Sequence, residues 1–325
     1  MAAPTNPSVF LYGPGDARIE DTPEPEITDV TDAIVRIKFV GVCGSDVHFW
    51  NHGGINGKYV SNSEPLVMGH EASGTVYAVG SAVKHLKPGD NYKLPADFCY
   101  RLPAGVSLQE GVLAEPLAVA AHAVRMVDIR PGQSVVIFGS GTIGLVCGAV
   151  ARMFGAKKIV AVDIVDHKLE FASSFNTCST FKPDLDASPE ENAARIIHDN
   201  DLGLGADAVI EASGAESSII TAVQVLRPGG SCVQTGLGKP VINFPIVAMS
   251  EKELHVHGAF RYKSGDYQVA MDVLEARTIP LKKLITNIFD FEKTTDAWEA
   301  TKQGRGIKNM IRGYGCSDSA RTAHL

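Results

Sequence analysis

Closely spaced cysteines are what this chain most clearly lacks. Its 325 residues include six cysteines, which are scattered along the sequence: Cys43, Cys99, Cys147, Cys178, Cys232 and Cys316. Structural zinc sites are commonly built from Cys-x2-Cys pairs, and no such pair exists here, so the sequence predicts that no structural zinc is bound. Scattered cysteines in a chain of this size are typical of reduced thiols, and we therefore predict a cytoplasmic location.

Long apolar segments, basic runs and a signal-peptide pattern are also missing. Charged residues, Gly or Pro interrupt every apolar run, so the sequence predicts no membrane span. The formal charge of −7 argues against nucleic acid as a partner. With 45% apolar and 21% charged residues, the chain is typical of a globular protein long enough for two domains. Its last residues, Ala323-His324-Leu325, resemble a relaxed peroxisomal address, but we interpret them as a frayed tail.

A glycine-rich turn is the most informative feature that is present. The apolar run Val135–Phe138 leads into Gly139-Ser140-Gly141-Thr142-Ile143-Gly144, and a helical pattern follows. The first glycine permits a tight turn, the second allows a pyrophosphate to approach the backbone, and the third lets the helix pack close to the strand. The N–H groups at the start of that helix would then face the anion. The pattern predicts a dinucleotide site at Gly139, Gly141 and Gly144.

The identity of the nucleotide is indicated by Asp163, which follows the next apolar run, Ile159–Val162. A carboxylate in this position can accept hydrogen bonds from both hydroxyls of the adenosine ribose. It would repel a 2′-phosphate, and the residues that follow, 164–166, include no arginine. The sequence therefore predicts NAD rather than NADP as the cofactor.

Two kinds of pattern divide the chain. Short strand-like runs separated by Gly and Pro turns fill the first part and indicate an antiparallel, barrel-like region. Alternating helical and strand-like segments follow and indicate a doubly wound parallel sheet of the Rossmann type. We therefore predict an α/β protein with a catalytic barrel-like domain over 1–117, an NAD-binding domain over 118–259, and a return to the first domain over 260–325.

Two motifs in the first domain carry candidate metal ligands. Cys43 lies in the segment Gly41–His48, and His70 and Glu71 lie in the segment Gly69–Gly74. Taken singly, a cysteine is more often a core residue and a histidine is more often structural. Together, in a chain predicted to bind NAD, they form a donor set that suits a catalytic zinc, which has three protein ligands and one open position. Zinc can lower the pKa of an alcohol while nicotinamide takes the hydride.

These motifs resemble those of the zinc-dependent medium-chain dehydrogenases, and in particular of their polyol branch. The resemblance is carried by the runs Val42–Trp50, Met68–Val76, Glu115–Leu117, Asp163–Ala172 and Phe260–Tyr262. Within that branch the chain is most similar to the xylitol dehydrogenases, with sorbitol and L-arabinitol dehydrogenases next. The resemblance implies a GroES-like barrel joined to a Rossmann domain, and NAD-dependent oxidation of a small polyol, of the type xylitol to D-xylulose.

The resemblance also assigns the metal site. It implies that Cys43 and His70 bind zinc directly and that Glu71 is a ligand or lies close to one. Glu115 would reach the zinc directly or through water. Asp46 would accept a hydrogen bond from the other ring nitrogen of His70 and so fix its tautomer. We therefore expect one catalytic zinc per chain.

Residues for the substrate and the cofactor are implied in the same way. Ser45 would contact the substrate hydroxyl in a proton relay whose outer member is His48. Arg261 would bond substrate hydroxyls or metal-bound water, and Lys168 would contact the ribose. The alternative for each of these polar residues is a solvated or capping group. We also expect a homo-oligomer.

The chain departs from this family between Asp90 and Asn91, which are adjacent here. Family members carry a barrel strand, a four-cysteine lobe and a segment bordering the substrate cleft at this point. A skipped exon, an error in the gene model or a genuine short form would each explain the difference. One alternative function is therefore a protein that binds NAD but is catalytically impaired. A zinc-independent, quinone-reductase-like function is disfavoured because that branch lacks the ligands matched by Cys43, His70 and Glu115.

Overall fold

The computed structural model describes residues 6–316 apart from 56, 85, 90, 95–98 and 177. Ala323-His324-Leu325, the possible peroxisomal address, and Asp90, on one side of the junction, lie outside these residues. The chain forms two compact units. The first comprises the residues up to Ala114 and those from Leu281 onward, and the second comprises Glu115–Pro280.

The first unit opens with short strands and two helices. Its strands are β1 (Asn6–Gly13), β2 (Asp16–Thr22), β3 (Ala33–Gly41), β4 (Gly54–Ile55), β5 (Lys58–Tyr59), β6 (Leu66–Val67), β7 (Glu71–Val79), β8 (Asn91–Leu94) and β9 (Tyr100–Arg101). Its first two helices are α1 (Gly44–His52) and α2 (Leu108–Gly111).

Helices and strands alternate in the second unit. Its helices are α3 (Ala114–Met126, with its first residue in the first unit), α4 (Thr142–Met153), α5 (Asp166–Asn176), α6 (Pro189–Asp199), α7 (Glu216–Val225), α8 (Ile246–Glu251) and α9 (Asp266–Ala276). Its strands are β10 (Ser134–Phe138), β11 (Lys158–Val162), β12 (Ser179–Phe181), β13 (Ala206–Glu211), β14 (Leu226–Gln234) and β15 (His255–Gly258).

The end of the chain returns to the first unit with β16 (Ile285–Phe289), α10 (Thr294–Lys302) and β17 (Lys308–Arg312). Short 3-10 turns precede β16 and α10, at Leu281–Leu284 and Phe291–Lys293. The return begins later than the sequence analysis placed it, at Leu281 instead of residue 260. The reason is that α9 is bound to α3 through buried Asp266, which keeps this helix in the second unit.

A six-stranded sheet in the order β16-β17-β3-β7-β8-β9 forms the main body of the first unit, and β2-β1-β6 form a smaller sheet. Within the main sheet, β3 and β7 are antiparallel, with Ala33 opposite Val79 and Gly41 opposite Glu71. This register matters for function, because the chain leaving β3 reaches Cys43 two residues later and the chain entering β7 has just passed His70. The two metal-ligand motifs therefore meet at one end of this strand pair.

The junction at Asn91 is followed directly by β8, which pairs with one side of β7. Asn91 lies opposite Thr75 and Leu94 lies opposite Ala72, while β9 pairs with the other side of β8. The carbonyl oxygen of Val76 accepts a hydrogen bond from the N–H of Gly89 at 3.0 Å. Among the described residues, β7 is therefore paired on both sides, with β3 on one and with β8 on the other.

The second unit contains six parallel strands in the order β12-β11-β10-β13-β14-β15, as expected for a doubly wound sheet. Apolar residues of the central strands form its core, including Val136, Val160 and Val209. The carboxyl ends of parallel strands share one edge of the sheet, so the turn after β10 meets the end of β11. The N–H of Gly139 donates to the carbonyl oxygen of Val162 at 2.8 Å.

In the part of the chain that the structure describes, no helix combines the length and the apolar composition needed to cross a bilayer.

Candidate active site

Cys43, His70 and Glu71 form the one group of potential metal ligands found among the described residues. Their donor atoms all lie within 4.8 Å of one another. Cys43 precedes α1 as its N-terminal capping residue, and the N–H of Val42 is held by the carbonyl oxygen of Asn309 at 2.9 Å. A thiolate, an imidazole and a carboxylate at this separation fit a zinc ion, which these donors bind at about 2.0–2.3 Å.

Asp46 orients two of these ligands at once. One carboxylate oxygen lies 3.3 Å from Nδ1 of His70, and the other accepts a hydrogen bond from the N–H of Cys43 at 2.9 Å. Asp46 itself is only 4% exposed. The arrangement leaves Nε2 of His70 facing the thiol and the hydroxyl of Ser45, whose Oγ is 3.4 Å away. Asp46 therefore has the geometry of the carboxylate that fixes a metal-binding histidine.

The electrostatics of this cluster favour a cation. Burial opposes the charge of the His70 imidazole, but hydrogen bonds with Asp46 and Cys43, and the negative charges of these groups, raise the pKa of His70 to about 12. The same negative charges would stabilise a divalent ion in place of the proton.

Glu71 has a second partner that the sequence did not indicate. Nζ of Lys308, in β17, lies 2.9 Å and 2.6 Å from the two carboxylate oxygens of Glu71 and donates to the carbonyl oxygen of Val42 at 3.0 Å. The Lys308 and Glu71 side chains are 2% and 1% exposed. A metal ion bound through Glu71 would have to share the carboxylate with this ammonium group, so Glu71 is a weaker candidate ligand than Cys43 or His70.

His48 lies on α1, the helix that also carries Ser45 and Asp46. Its ring centroid is 4.7 Å from that of His52, one turn further along. Burial and the charge of His52 together hold the pKa of His48 below its usual value. A neutral imidazole can accept a proton, which fits the outer position of a relay. That role stays a prediction.

The glycine-rich turn in the second unit has the shape that a dinucleotide requires. A Cβ on Gly144 would collide with the carbonyl oxygen of Gly139, so only glycine allows α4 to approach the strand this closely. At Gly141, by contrast, a Cβ would meet no heavy atom within 4 Å. The space beside this residue, at the start of α4, is where a pyrophosphate would approach the helix.

Asp163 is held in place beside that turn. Its carboxylate accepts hydrogen bonds from the N–H groups of Ser140, at 2.7 Å, and Val165, at 3.0 Å. The hydroxyl of Ser140 is buried and has no hydrogen-bond partner among the described residues. A buried polar atom without a partner is costly, and a cofactor bound in this turn would provide one. The residues present therefore fit NAD.

The remaining predicted residues lie on separate elements of the second unit. Glu115 is buried near the start of α3, and Lys168 is partly exposed on α5. Arg261 is exposed between β15 and α9, with its guanidinium 5.5 Å from the centroid of the Phe260 ring. Their proposed roles rest on the sequence motifs.

Sequence reasoning missed two functional candidates, Lys308 and the hydroxyl of Ser140. For the first, the sequence offered no signal, because Lys308 lies in the run Lys308–Arg312, in which Asn309 and Arg312 are also polar. For the second, the sequence offered only its position between two glycines.

Comparison with known families and proteins agrees with this geometry. Residues 29–131 match the alcohol dehydrogenase GroES-like domain, and residues 142–276 match the zinc-binding dehydrogenase family. A probable D-xylulose reductase A from Aspergillus terreus is 46% identical, with 95% of this chain and 98% of that protein covered. D-xylulose reductase A from Aspergillus oryzae is 44% identical, with 95% and 97% covered.

Solved structures show the same fold. An Escherichia coli oxidoreductase of unknown specificity superposes with a TM-score of 0.85 at 25% identity, covering 95% of this chain and 99% of its own. For the 2R,3R-butanediol dehydrogenase of Bacillus subtilis the TM-score is 0.81 at 23% identity, with 94% and 99% covered. The predicted combination of a GroES-like domain with a Rossmann sheet is confirmed.

The sequence alignment also shows a difference in length. It spans 349 positions with the Aspergillus terreus protein, more than the 325 residues of this chain. The relative therefore has residues without counterparts in this chain. Its high identity over nearly the whole of both chains, together with the two family matches, establishes that the chain belongs to the zinc-dependent medium-chain dehydrogenases.

Proposed function

We propose that the protein oxidises a secondary hydroxyl of a small polyol with NAD, and that xylitol, which gives D-xylulose, is its preferred substrate. The observation that carries the proposal is the Cys43, His70 and Asp46 cluster in a chain so similar to D-xylulose reductases. Sorbitol and L-arabinitol are the alternative polyols. Initial rates with NAD and these three polyols test the order of preference.

We assign the chemistry to this chain's residues as follows. Cys43 and His70 hold one catalytic zinc, with Glu115 or Glu71 completing the ligand set, and no structural zinc is bound. When bound, zinc supplies the Lewis acid that lowers the pKa of the alcohol oxygen, and NAD accepts the hydride. Ser45 takes the hydroxyl proton at Oγ and passes it towards His48. Arg261 orients the other hydroxyls of the polyol.

The cofactor site is assigned to the second unit. Gly139, Gly141 and Gly144 form the turn that receives the pyrophosphate, and Ser140 lies within it. Asp163 accepts hydrogen bonds from the adenosine ribose, and Lys168 contacts the same ribose.

Replacing Asp163 with Ser should relax the preference for NAD over NADP. The change removes the charge that repels a 2′-phosphate and weakens the bonds to the ribose of NAD. We expect the NAD-to-NADP ratio of kcat/KM to fall about 10- to 100-fold, equivalent to one hydrogen bond to a charged group. Asp199→Ser, an exposed carboxylate on α6, is the control and should leave the ratio unchanged. Equal use of both cofactors by the wild type would contradict the assignment.

Polyols should be strongly preferred to simple alcohols. A site that hydrogen-bonds several hydroxyls leaves polar groups unpaired when the substrate lacks them, a difference of up to about 10⁴-fold in kcat/KM. We therefore expect xylitol to exceed ethanol by this order in steady-state assays with NAD. Comparable kcat/KM values for xylitol and ethanol would refute the polyol proposal.

The catalytically impaired short form is the rival function, and the residues that this chain lacks are its support. It predicts NAD binding without zinc-dependent turnover. Restoring a family-type segment between Asp90 and Asn91 should then create activity that the natural chain does not have.

We also propose that the protein forms a homo-oligomer through the edge of the second sheet. Beside the edge strand β15, exposed apolar side chains cluster in one stretch of chain: Leu237, Val241, Ile246, Val247, Val256 and Phe260. Exposed apolar side chains next to a strand that pairs on one side only favour association with a second copy. Val256→Lys should therefore yield monomers in sedimentation experiments, whereas Leu204→Lys, at an 83% exposed site, should not. A monomeric wild type would refute this proposal.

A cytoplasmic location is proposed as well. It is supported by the six cysteines, all of which are unpaired as expected in a reducing compartment.

A further inference from the structure

Arg261 has an unusual backbone conformation for a residue proposed to bind substrate. Its φ of 56° lies in the left-handed region, which a non-glycine residue adopts only when the surroundings enforce it. The segment that carries it runs from the end of β15 to the start of α9. At its beginning, the N–H of Ala259 donates to the carbonyl oxygen of Gln234 at 2.9 Å. What holds the other end determines where the Arg261 side chain is presented.

Asp266, the first residue of α9, holds that other end. Its Oδ2 accepts a hydrogen bond from the N–H of Lys263 at 2.7 Å, and its own N–H donates to the carbonyl oxygen of Lys263 at 3.2 Å. These two bonds close the turn immediately after Tyr262. The ring of Tyr262 also meets that of Tyr267 edge to face, with centroids 4.7 Å apart, so the residue next to Arg261 is fixed on both its backbone and side-chain sides.

The carboxylate of Asp266 is in turn bound by two residues of α3. Nη1 of Arg125 lies 2.6 Å from Oδ1, and Nδ1 of His122 lies 3.2 Å from Oδ2. The Asp266 and His122 side chains are only 2% and 7% exposed. A carboxylate this deeply buried is held by its charged and polar partners, because leaving it unpaired would be strongly unfavourable.

We propose that Asp266, with His122 and Arg125, is a positioning residue for substrate binding: the three side chains lock the Arg261 segment onto α3. This inference rests on the proposed function, in which Arg261 orients the polyol. The helix α3 also carries Glu115, seven residues and therefore about two turns before His122. One rigid helix thus carries a proposed metal ligand and anchors the proposed substrate-binding arginine.

The test is a double-mutant cycle on polyol kinetics. Asp266→Asn keeps the size of the side chain but removes the charge that holds Arg125. We expect it to lower kcat/KM for xylitol about 10- to 100-fold, as displacements of about 1 Å in positioning groups do, with KM for NAD changed less than about twofold. In an Arg261→Gln background the same substitution should change kcat/KM less than about twofold, because the residue through which it acts is already gone.

Two further variants keep the result interpretable. Asp207→Asn removes a carboxylate that also binds an arginine, Arg227 at 2.7 Å, but is 24% exposed, and it should leave xylitol kinetics unchanged. Arg125→Gln replaces Asp266→Asn in the double-mutant cycle if the Asp266→Asn protein does not fold. The Arg125 side chain is 43% exposed, so its substitution should disturb folding less.

The outcomes separate the inference from the proposed function. Suppose that Arg261→Gln lowers kcat/KM for xylitol, but Asp266→Asn lowers it by the same factor in the wild-type and in the Arg261→Gln background. The positioning role of Asp266 is then overturned, and the substrate-binding role of Arg261 stands. If Arg261→Gln itself has no effect on xylitol kinetics, the assignment of Arg261 fails, and the inference fails with it.

Discussion

Cys43→Ala should abolish polyol oxidation while leaving NAD binding intact. Cys43 is a proposed direct ligand in the Cys43, His70 and Glu71 group, so losing its thiolate should break the site that would hold the Lewis acid. Lewis-acid stabilisation of developing charge is worth several kcal/mol, so we expect a loss of about 10³-fold or more in kcat. The glycine-rich turn and Asp163 belong to the other unit, and their hydrogen bonds do not involve Cys43.

Three measurements on purified protein check this result: zinc content, NADH formation with xylitol, and the fluorescence of bound NADH. Cys99→Ala provides the control, because Cys99 is a partly buried cysteine of the same unit that packs against Val76 and Leu86 and is not among the candidate ligands. If the Cys43→Ala protein retains both zinc and turnover, Cys43 is not a ligand of the catalytic zinc.

Of the proposed substitutions, Lys308→Met should lower the free energy of unfolding the most. It leaves the buried carboxylate of Glu71 without its charged partner, and breaking a buried ion pair in this way costs about 3–5 kcal/mol. That is a large part of the roughly 5–15 kcal/mol by which a domain is usually stable. A double variant, Lys308→Met with Glu71→Leu, should lose less than Lys308→Met alone, because no unpaired charge remains.

The two tryptophans provide a selective probe of this effect. Trp50 and Trp298 both lie in the first unit, with ring centroids 5.3 Å apart, so denaturant unfolding followed by their fluorescence reports on that unit. Lys302→Met is the matched control, because its salt bridge to Glu299 is exposed and worth about 0–1 kcal/mol. Equal losses of unfolding free energy for Lys308→Met and Lys302→Met would show that the buried ion pair stabilises the first unit no more than the exposed one does.

The proposed nucleotide site could be predicted from the sequence because all its parts are close together along the chain. A strand, the turn Gly139–Gly144, a helix and Asp163 at the end of the next strand follow one another, and parallel strands bring their carboxyl ends to the same edge. The doubly wound fold followed from the same alternation and is confirmed. Local patterns were less reliable within strands: Pro228–Gly230, which reads as a turn, lies inside β14, where the register with β13 is irregular.

The proposed metal site could be predicted only in part from the sequence. The motifs at Cys43 and His70 could be recognised, but their proximity depends on the register of β3 with β7, which sequence periodicity does not specify. Lys308 joins Glu71 from 237 residues further along the chain, so no local pattern could have linked the two. The left-handed conformation of Arg261 was equally hidden, because arginine rarely adopts it and nothing in the sequence marks the position.

Polyol oxidation by the purified chain of known zinc content tests the proposed function most directly. We predict one zinc per chain and NADH formed in equal amount to a ketose from xylitol. Turnover should be lost when a chelator removes the metal and regained when zinc is restored. A chain that binds NAD but forms no NADH with xylitol, sorbitol or L-arabinitol at full zinc loading would refute the proposed function.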